Sequence, residues 1–227
     1  MTKNLFTSAV LAGVAAGLIA ALLQFTFVIP HLLEGELYET GERIHFAIDG
    51  STQSDRAQPA IGTDFARHGM TVAFNMITYT GYGLILLALM IFAHDKGHTL
   101  TPRTGLIWGV AGFIAVQLAP GIGQPPVLPG AIGSEVGPRQ AWWALTIIIT
   151  AIALALIAFG KGWTALLSIP LLLAPHIVGA PYLDTYFGVA PPELAARFAM
   201  LSLGTALAGW TSLGFLAAWF WTRSDDA

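Results

Sequence analysis

Long uncharged stretches constrain this chain more than any other feature. Residues 5–29 contain no charged side chain, and residues 71–93, 141–160 and 198–221 form three further uncharged apolar runs. A helix needs about 17 to 25 such residues to cross a hydrocarbon core about 30 Å thick. Of all residues 55% are hydrophobic and only 10% are charged, which is far from the habit of soluble domains. The sequence therefore predicts an all-α, polytopic membrane protein.

Two shorter apolar segments complete the predicted topology. Residues 105–119 form one, and residues 163–178, which contain Pro170 and Pro175, form the other. Both are counted as spans, because omitting either would put adjacent loops on the wrong sides of the membrane. The first run is expected to be retained, since it is too long for a signal peptide and lacks a clean cleavage site. The predicted organisation is a single transmembrane domain, residues 1–227, with spans 5–29, 71–93, 105–119, 141–160, 163–178 and 198–221, an outer loop 31–69 and a Gly/Pro elbow 120–138.

Charge distribution gives the predicted orientation. Lysines and arginines divide equally between the two sides, but the inner loops are shorter and their basic density is higher, which predicts cytoplasmic termini in a bacterial inner membrane. Acidic residues divide ten to three in favour of the outer side. This electronegative face would concentrate cations. The predicted inner acidic residues are Asp95, Asp225 and Asp226.

Three odd-numbered spans end alike, in Pro30, Pro120 and Pro175. Proline removes a backbone donor and clashes with the preceding turn, so these can be ordinary helix stops. Alternatively they form a weak helical-hairpin repeat whose broken ends line a cavity. Gln24 and Gln117 lie just inside two of these ends. Their amides would be costly in lipid, so they either join helices or line a path.

The first span runs into PHLLEGELYETGERIH, with four glutamates and two histidines. If the helix continues, His31, Glu34, Tyr38, Glu42 and His45 share an arc of about 80°. Imidazole and carboxylate ligands without sulfur suit Co, Ni, Zn or Mn. The spacing gives two i, i+3 pairs, His31 with Glu34 and Glu42 with His45. The alternative is a solvated acidic rim, with the histidines hydrogen-bonded as structural residues.

Other polar residues extend the candidate site. His176 follows Pro175 as His31 follows Pro30, and Arg139 and Gln140 open the fourth span. Arg139 is either an interfacial anchor or a partner of an outer glutamate. The candidate metal ligands are His31, Glu34, Glu42, His45 and His176. The candidate path or supporting residues are Gln24, Gln117, Arg139 and Gln140.

Missing features exclude several classes of function. The chain has no cysteine, so it has no thiolate metal site. Its net charge of −3 offers no basic surface for nucleic acid. No P-loop, HExxH or GxSxG motif is present, so the protein is not expected to be an enzyme. The span centres hold almost no ionisable residue, which favours a permease that depends on a partner or the membrane potential. No permanently bound cofactor is expected.

Several segments together resemble the CbtA family, the predicted cobalt transporter subunit. They are VIPHLLEGELYE, GLIWGVAGFIAVQLAPGIGQPPVLPG, RQAWW and LAPHIVGAP, spread along nearly the whole chain. The resemblance implies a polytopic inner-membrane protein that brings Co²⁺ into the cell. It also implies a small single-span partner, CbtB, that carries histidines.

Two functions stay open at this level. The first is a permease subunit for a divalent transition metal, with cobalt as the transported ion. The second is a structural subunit that docks onto a larger membrane complex and transports nothing, with its glycine-rich faces as packing surfaces. Those faces contain Gly13, Gly17, Gly81, Gly83, Gly109 and Gly112.

Overall fold

The computed structural model describes residues 2–45, 49 and 53–225. Residues 46–48 and 50–52 of the predicted outer loop, and Asp226 of the predicted inner acidic group, lie outside these ranges. Every regular element in the described ranges is helical. In chain order they are α1 (Thr2–Leu23), a first π-helical turn (Gln24–Val28), α2 (Ile29–Glu39), α3 (Phe65–Asp95), α4 (Pro102–Phe113), a second π-helical turn (Ile114–Leu118), α5 (Ala119–Gly123), α6 (Val136–Phe159), α7 (Trp163–Leu166), α8 (Ser168–Val178) and α9 (Pro192–Asp225).

Five helical stretches of the described chain are long and apolar enough to cross a membrane. The all-α, multi-pass prediction is therefore confirmed. Together α7 and α8 cover 163–178, but they are separated at Leu167 and are shorter. The sixth span and the single-domain organisation stay predictions. The five stretches are Asn4–Glu39, Phe65–Asp95, Pro102–Gly123, Val136–Phe159 and Pro192–Ser224.

Pro30 does not stop its helix, so the interpretation as an ordinary stop is wrong there, whereas α5 and α8 each end three residues after their prolines. Each π-helical turn ends two residues before a proline, and the helix then continues past Pro30 to Glu39 and past Pro120 to Gly123. A proline ring clashes with the carbonyl four residues earlier, and a π turn, with its i→i+5 bonding, widens the helix there. Pro175 lies inside α8, which ends at Val178.

One compact unit contains residues 2–25, 62–113 and 204–225. Here α1 packs on α3, and glycines allow their backbones to approach closely. A Cβ on Gly13 would lie 2.3 Å from Cα of Thr80. The same holds between α4 and α9, where a Cβ on Gly109 would lie 2.3 Å from the Trp210 carbonyl oxygen. Small residues commonly provide such contacts between membrane helices.

A second compact unit contains residues 26–61 and 114–203. Within it α6 packs against α8 and α5. The Gly/Pro elbow after α5 turns back over α2, and Leu128 is buried with Tyr38, Leu194 and Phe198. Gly35 leaves room for this contact, because a Cβ there would lie 2.9 Å from Cδ2 of Leu128. The elbow is therefore attached to this unit through Leu128.

Candidate functional site

The most deeply buried candidate residues lie at the start of α2. His31 is 5% exposed and Glu34 is 4% exposed, one helical turn apart. Tyr38 is buried one turn further on. These three follow the i, i+3, i+7 spacing of one helix face. Pro30 lies in the first turn of α2, directly after the first π-helical turn, a position that proline favours.

His31 is held in a defined orientation. Its Nδ1 lies 3.0 Å from the Phe27 carbonyl oxygen, and its Nε2 lies 3.2 Å from the side-chain nitrogen of Gln58. A carbonyl only accepts, so Nδ1 carries the proton and donates, while Nε2 accepts from the Gln58 amide. Metal-binding histidines commonly donate their other ring N–H to a backbone carbonyl in this way. Nε2 is thus the atom available to a cation, and its hydrogen-bond partner is the exposed Gln58 side chain.

Glu34 is neutralised by a cation from its own segment. Nη1 of Arg43 lies 3.2 Å from Oε1 of Glu34, and the two side chains are 16% and 5% exposed. A buried carboxylate needs such a partner, because desolvation of an unpaired charge is costly. The pairing depends on Gly41, whose φ of 78° turns the chain after Glu39, and on the Arg43 N–H that donates to the Leu37 carbonyl at 2.9 Å. Glycine adopts this left-handed backbone without strain.

The turn at Gly41 shows that the predicted helical face from His31 to His45 is wrong beyond Glu39. The helical face expected to run from His31 to His45 ends at Glu39, so Glu42 and His45 do not continue it. Glu42 is exposed, and its Oε1 accepts from Oγ1 of Thr40 at 3.5 Å. His45 is half-buried. The physical reason is the glycine at position 41, which ends α2 before the second predicted pair.

His176 has a different environment. It is half-buried in the last turn of α8, and its ring meets that of Trp142 edge to face, with centroids 6.3 Å apart. The buried Trp142 indole donates to the Pro175 carbonyl oxygen at 3.1 Å. Across residues 2–45, 49 and 53–225, no three His, Asp or Glu side chains come together as a metal site. His31 and Glu34 are thus related by their i, i+3 spacing on α2 and by their burial.

The supporting amides occupy distinct settings. Gln24 and Asn75 exchange two side-chain hydrogen bonds, at 3.2 and 3.1 Å, and Asn75 also donates to the Thr71 carbonyl at 2.9 Å. Gln24 thus joins the first π-helical turn to α3. Gln117 is half-buried in the second π-helical turn.

Arg139 and Gln140 line a cleft at the start of α6 with Gln124, Val136 and Trp143. The Gln124 side chain donates to the Arg139 carbonyl at 3.3 Å. Among the described residues the Arg139 side chain forms no ion pair. The glutamate partner expected for Arg139 is not found among the described residues, and its role as an interfacial anchor stays a prediction.

Sequence reasoning missed three partners. Arg43, Gln58 and Asn75 each make a side-chain contact to a candidate residue. An asparagine within the apolar run 71–93 was a usable signal, because an amide in lipid needs a partner. An arginine shortly after a glycine-broken acidic helix was a second signal. Nothing in the sequence links Gln58 to His31.

These observations define a multi-pass α-helical membrane protein with a buried His–Glu pair beside a helix break. The chain belongs to the CbtA family, whose model is described as "Probable cobalt transporter subunit" and matches residues 2–222. The resemblance noted in the sequence is therefore confirmed over nearly the whole chain. No curated protein and no solved structure matches it.

Proposed function

We propose that this protein is the permease subunit of a cobalt uptake system and that His31 and Glu34 capture the incoming ion. The single observation that carries the proposal is the burial of these two ligand types one turn apart on α2. Nε2 of His31 and a Glu34 oxygen are donors suited to Co²⁺. Membership of the family of probable cobalt transporter subunits supports cobalt over the other metals that such donors accept.

Capture requires two exchanges. The ion replaces the Gln58 amide at Nε2 of His31, and it replaces Arg43 at Glu34. The second exchange keeps the buried carboxylate compensated by positive charge throughout, which avoids a costly unpaired intermediate. Arg43 is the more exposed partner of the pair, so it can turn toward solvent. Release is the reverse, with Arg43 and Gln58 restoring the original contacts.

The remaining ligands come from outside the pair. The described residues supply no third His, Asp or Glu at this point, so water or a partner completes the coordination. We propose a small single-span membrane protein with histidines, CbtB-like, as that partner. The family description as a subunit supports a partner of some kind. In the proposed orientation the protein lies in the bacterial inner membrane with cytoplasmic termini, and α2 faces the outer side.

The docking-subunit alternative stays open, but most of the glycines on its proposed packing faces have neighbours within the chain. Gly13, Gly17, Gly83 and Gly109 pack against backbone or side-chain atoms of the same compact unit. Of the six glycines on the predicted packing faces, Gly81 alone would place a Cβ with no neighbour within 4 Å. The glycine faces therefore serve the protein's own packing.

Cobalt accumulation in cells that lack other cobalt importers tests the proposal. The wild type is compared with and without the small partner, and with the double variant His31→Ala/His176→Ala. We expect uptake with the wild type and its loss in the double variant. No uptake in any arm, from protein shown to be folded and in the membrane, would support the docking role instead.

A further inference from the structure

The cleft at the start of α6 holds a cationic group without an anionic partner in the described part of the chain. Arg139 is half-buried, and among the described residues its guanidinium makes no ion pair or side-chain hydrogen bond. Arginine carries its charge at every accessible pH and presents five donors in a planar fork. A half-buried guanidinium with free N–H donors suits a ligand that has several oxygen acceptors.

The position of the guanidinium is built into the elbow. A Cβ on Gly133 would lie 2.5 Å from Nη1 of Arg139, so a side chain at position 133 would displace the arginine head from its present position. At its other end the residue is fixed by the Gln124 amide, which donates to its carbonyl at 3.3 Å. The Gln124 bond fixes the backbone of residue 139, and the guanidinium lies against the elbow at Gly133.

The surroundings fit a phosphate group. The cleft has a volume of about 240 Å³, which is large enough for a phosphate group. Gln124 and Gln140 supply amide donors, while the exposed Val136 and Trp143 add apolar surface. The first turn of the 24-residue α6 adds partial positive charge, which the exposed carboxylate of Glu135 at its N-cap position partly offsets.

We propose that Arg139, with Gln124 and Gln140, binds a phosphate group in this cleft. The apolar side chains at its edge fit a phospholipid headgroup whose acyl chains continue along α6, and a free phosphate ion shares the same chemistry. This site is separate from cobalt capture, and its test contains no cobalt. A failure here leaves the proposed function untouched, and the reverse also holds.

Native mass spectrometry of the purified full-length protein tests the site with three probes: phosphatidylglycerol, diacylglycerol with the same acyl chains, and inorganic phosphate. We expect phosphatidylglycerol to bind and diacylglycerol not to be retained. Arg139→Gln should weaken phosphatidylglycerol binding by about tenfold or more, because hydrogen bonds to a charged group are lost. Arg197→Gln, which removes an exposed charge from the same unit, should leave it unchanged.

Two glycine variants test whether weaker binding could instead result from misfolding. Gly133→Ala should displace the guanidinium and weaken binding, whereas Gly137→Ala, with nothing within 4 Å of its Cβ position, should not. Retention of inorganic phosphate at equal strength would assign the site to a free ion. Equal binding of phosphatidylglycerol by wild type and Arg139→Gln, or equal binding of diacylglycerol, would overturn the proposal.

Discussion

The two π-helical turns of this protein share a backbone design and differ in the side chains that come after them. Each ends two residues before a proline, at Pro30 and at Pro120. After Pro30 come the buried His31 and Glu34. After Pro120 come glycines, and Gly123 packs against the ring of Trp142. The comparison teaches that the widened turn is a scaffold feature, whereas the chemistry depends on the residues beyond the proline.

The largest expected effect is a difference in cobalt uptake between variants of the two histidines that follow prolines. His31→Ala should lower cobalt uptake by at least about tenfold, since even residues that only orient a metal ligand are worth about 10- to 100-fold. His176→Ala should have a much smaller effect, because its described neighbour is the Trp142 ring. Transport assays on each single variant measure this difference.

His68→Ala is the control, since His68 contacts the Gly62 carbonyl oxygen at 2.8 Å and is not a proposed ligand. Equal losses for His31→Ala and His68→Ala would show that the histidine after Pro30 has no special role.

The next effect concerns the ion pair after the first π-helical turn. Arg43→Gln should lower the free energy of unfolding by about 3 kcal/mol, because it leaves Glu34 buried without its partner. The double variant Glu34→Gln/Arg43→Gln should be more stable than Arg43→Gln alone. Unfolding titrations in mixed micelles of both single variants and the double variant give the coupling energy. Strictly additive losses would mean that the pair does not interact.

At the second π-helical turn the expected effect is on packing. Gly123→Ala should cost about 1–3 kcal/mol of stability, because its Cβ would lie 2.4 Å from Cη2 of Trp142. Gly121→Ala is the matched control, since its Cβ position is 3.4 Å from the flexible Leu203 side chain. Thermal unfolding compares the two. A selective loss of cobalt transport in a stably folded Gly123→Ala would contradict the distinction between the two turns.

The smallest expected effect is the loss of stability when the glutamine of either π-helical turn is replaced. Gln24→Leu breaks both bonds to Asn75 and should cost about 0.6–1.7 kcal/mol, the range measured for hydrogen bonds between membrane helices. Gln117→Leu should cost less, since no described side chain bonds to its amide. The same unfolding titration measures both. A larger loss for Gln117→Leu would reverse this ranking.

The sequence supports the prediction of helices well, because uncharged runs of sufficient length have few alternatives in a membrane. It predicts the i, i+3 spacing of His31 and Glu34 but not their burial. It does not reveal whether a helix stops or widens at proline, since both relieve the same clash at Pro30 and Pro120. Nor does it show that Gly41 returns Arg43 to Glu34, because this depends on one backbone angle. The Gln58 contact to His31 crosses a long loop and is set by the tertiary fold.

Cobalt binding to the purified protein tests the central claim most directly. The coordination of bound Co²⁺ is measured by X-ray absorption in the wild type, His31→Ala and Glu34→Gln, with Glu39→Gln as a control on the same helix. We predict an imidazole nitrogen and a carboxylate oxygen in the wild type and in the control. We also predict loss of the imidazole in His31→Ala and weaker binding in Glu34→Gln. An unchanged spectrum and affinity in His31→Ala would contradict capture of the ion by this pair.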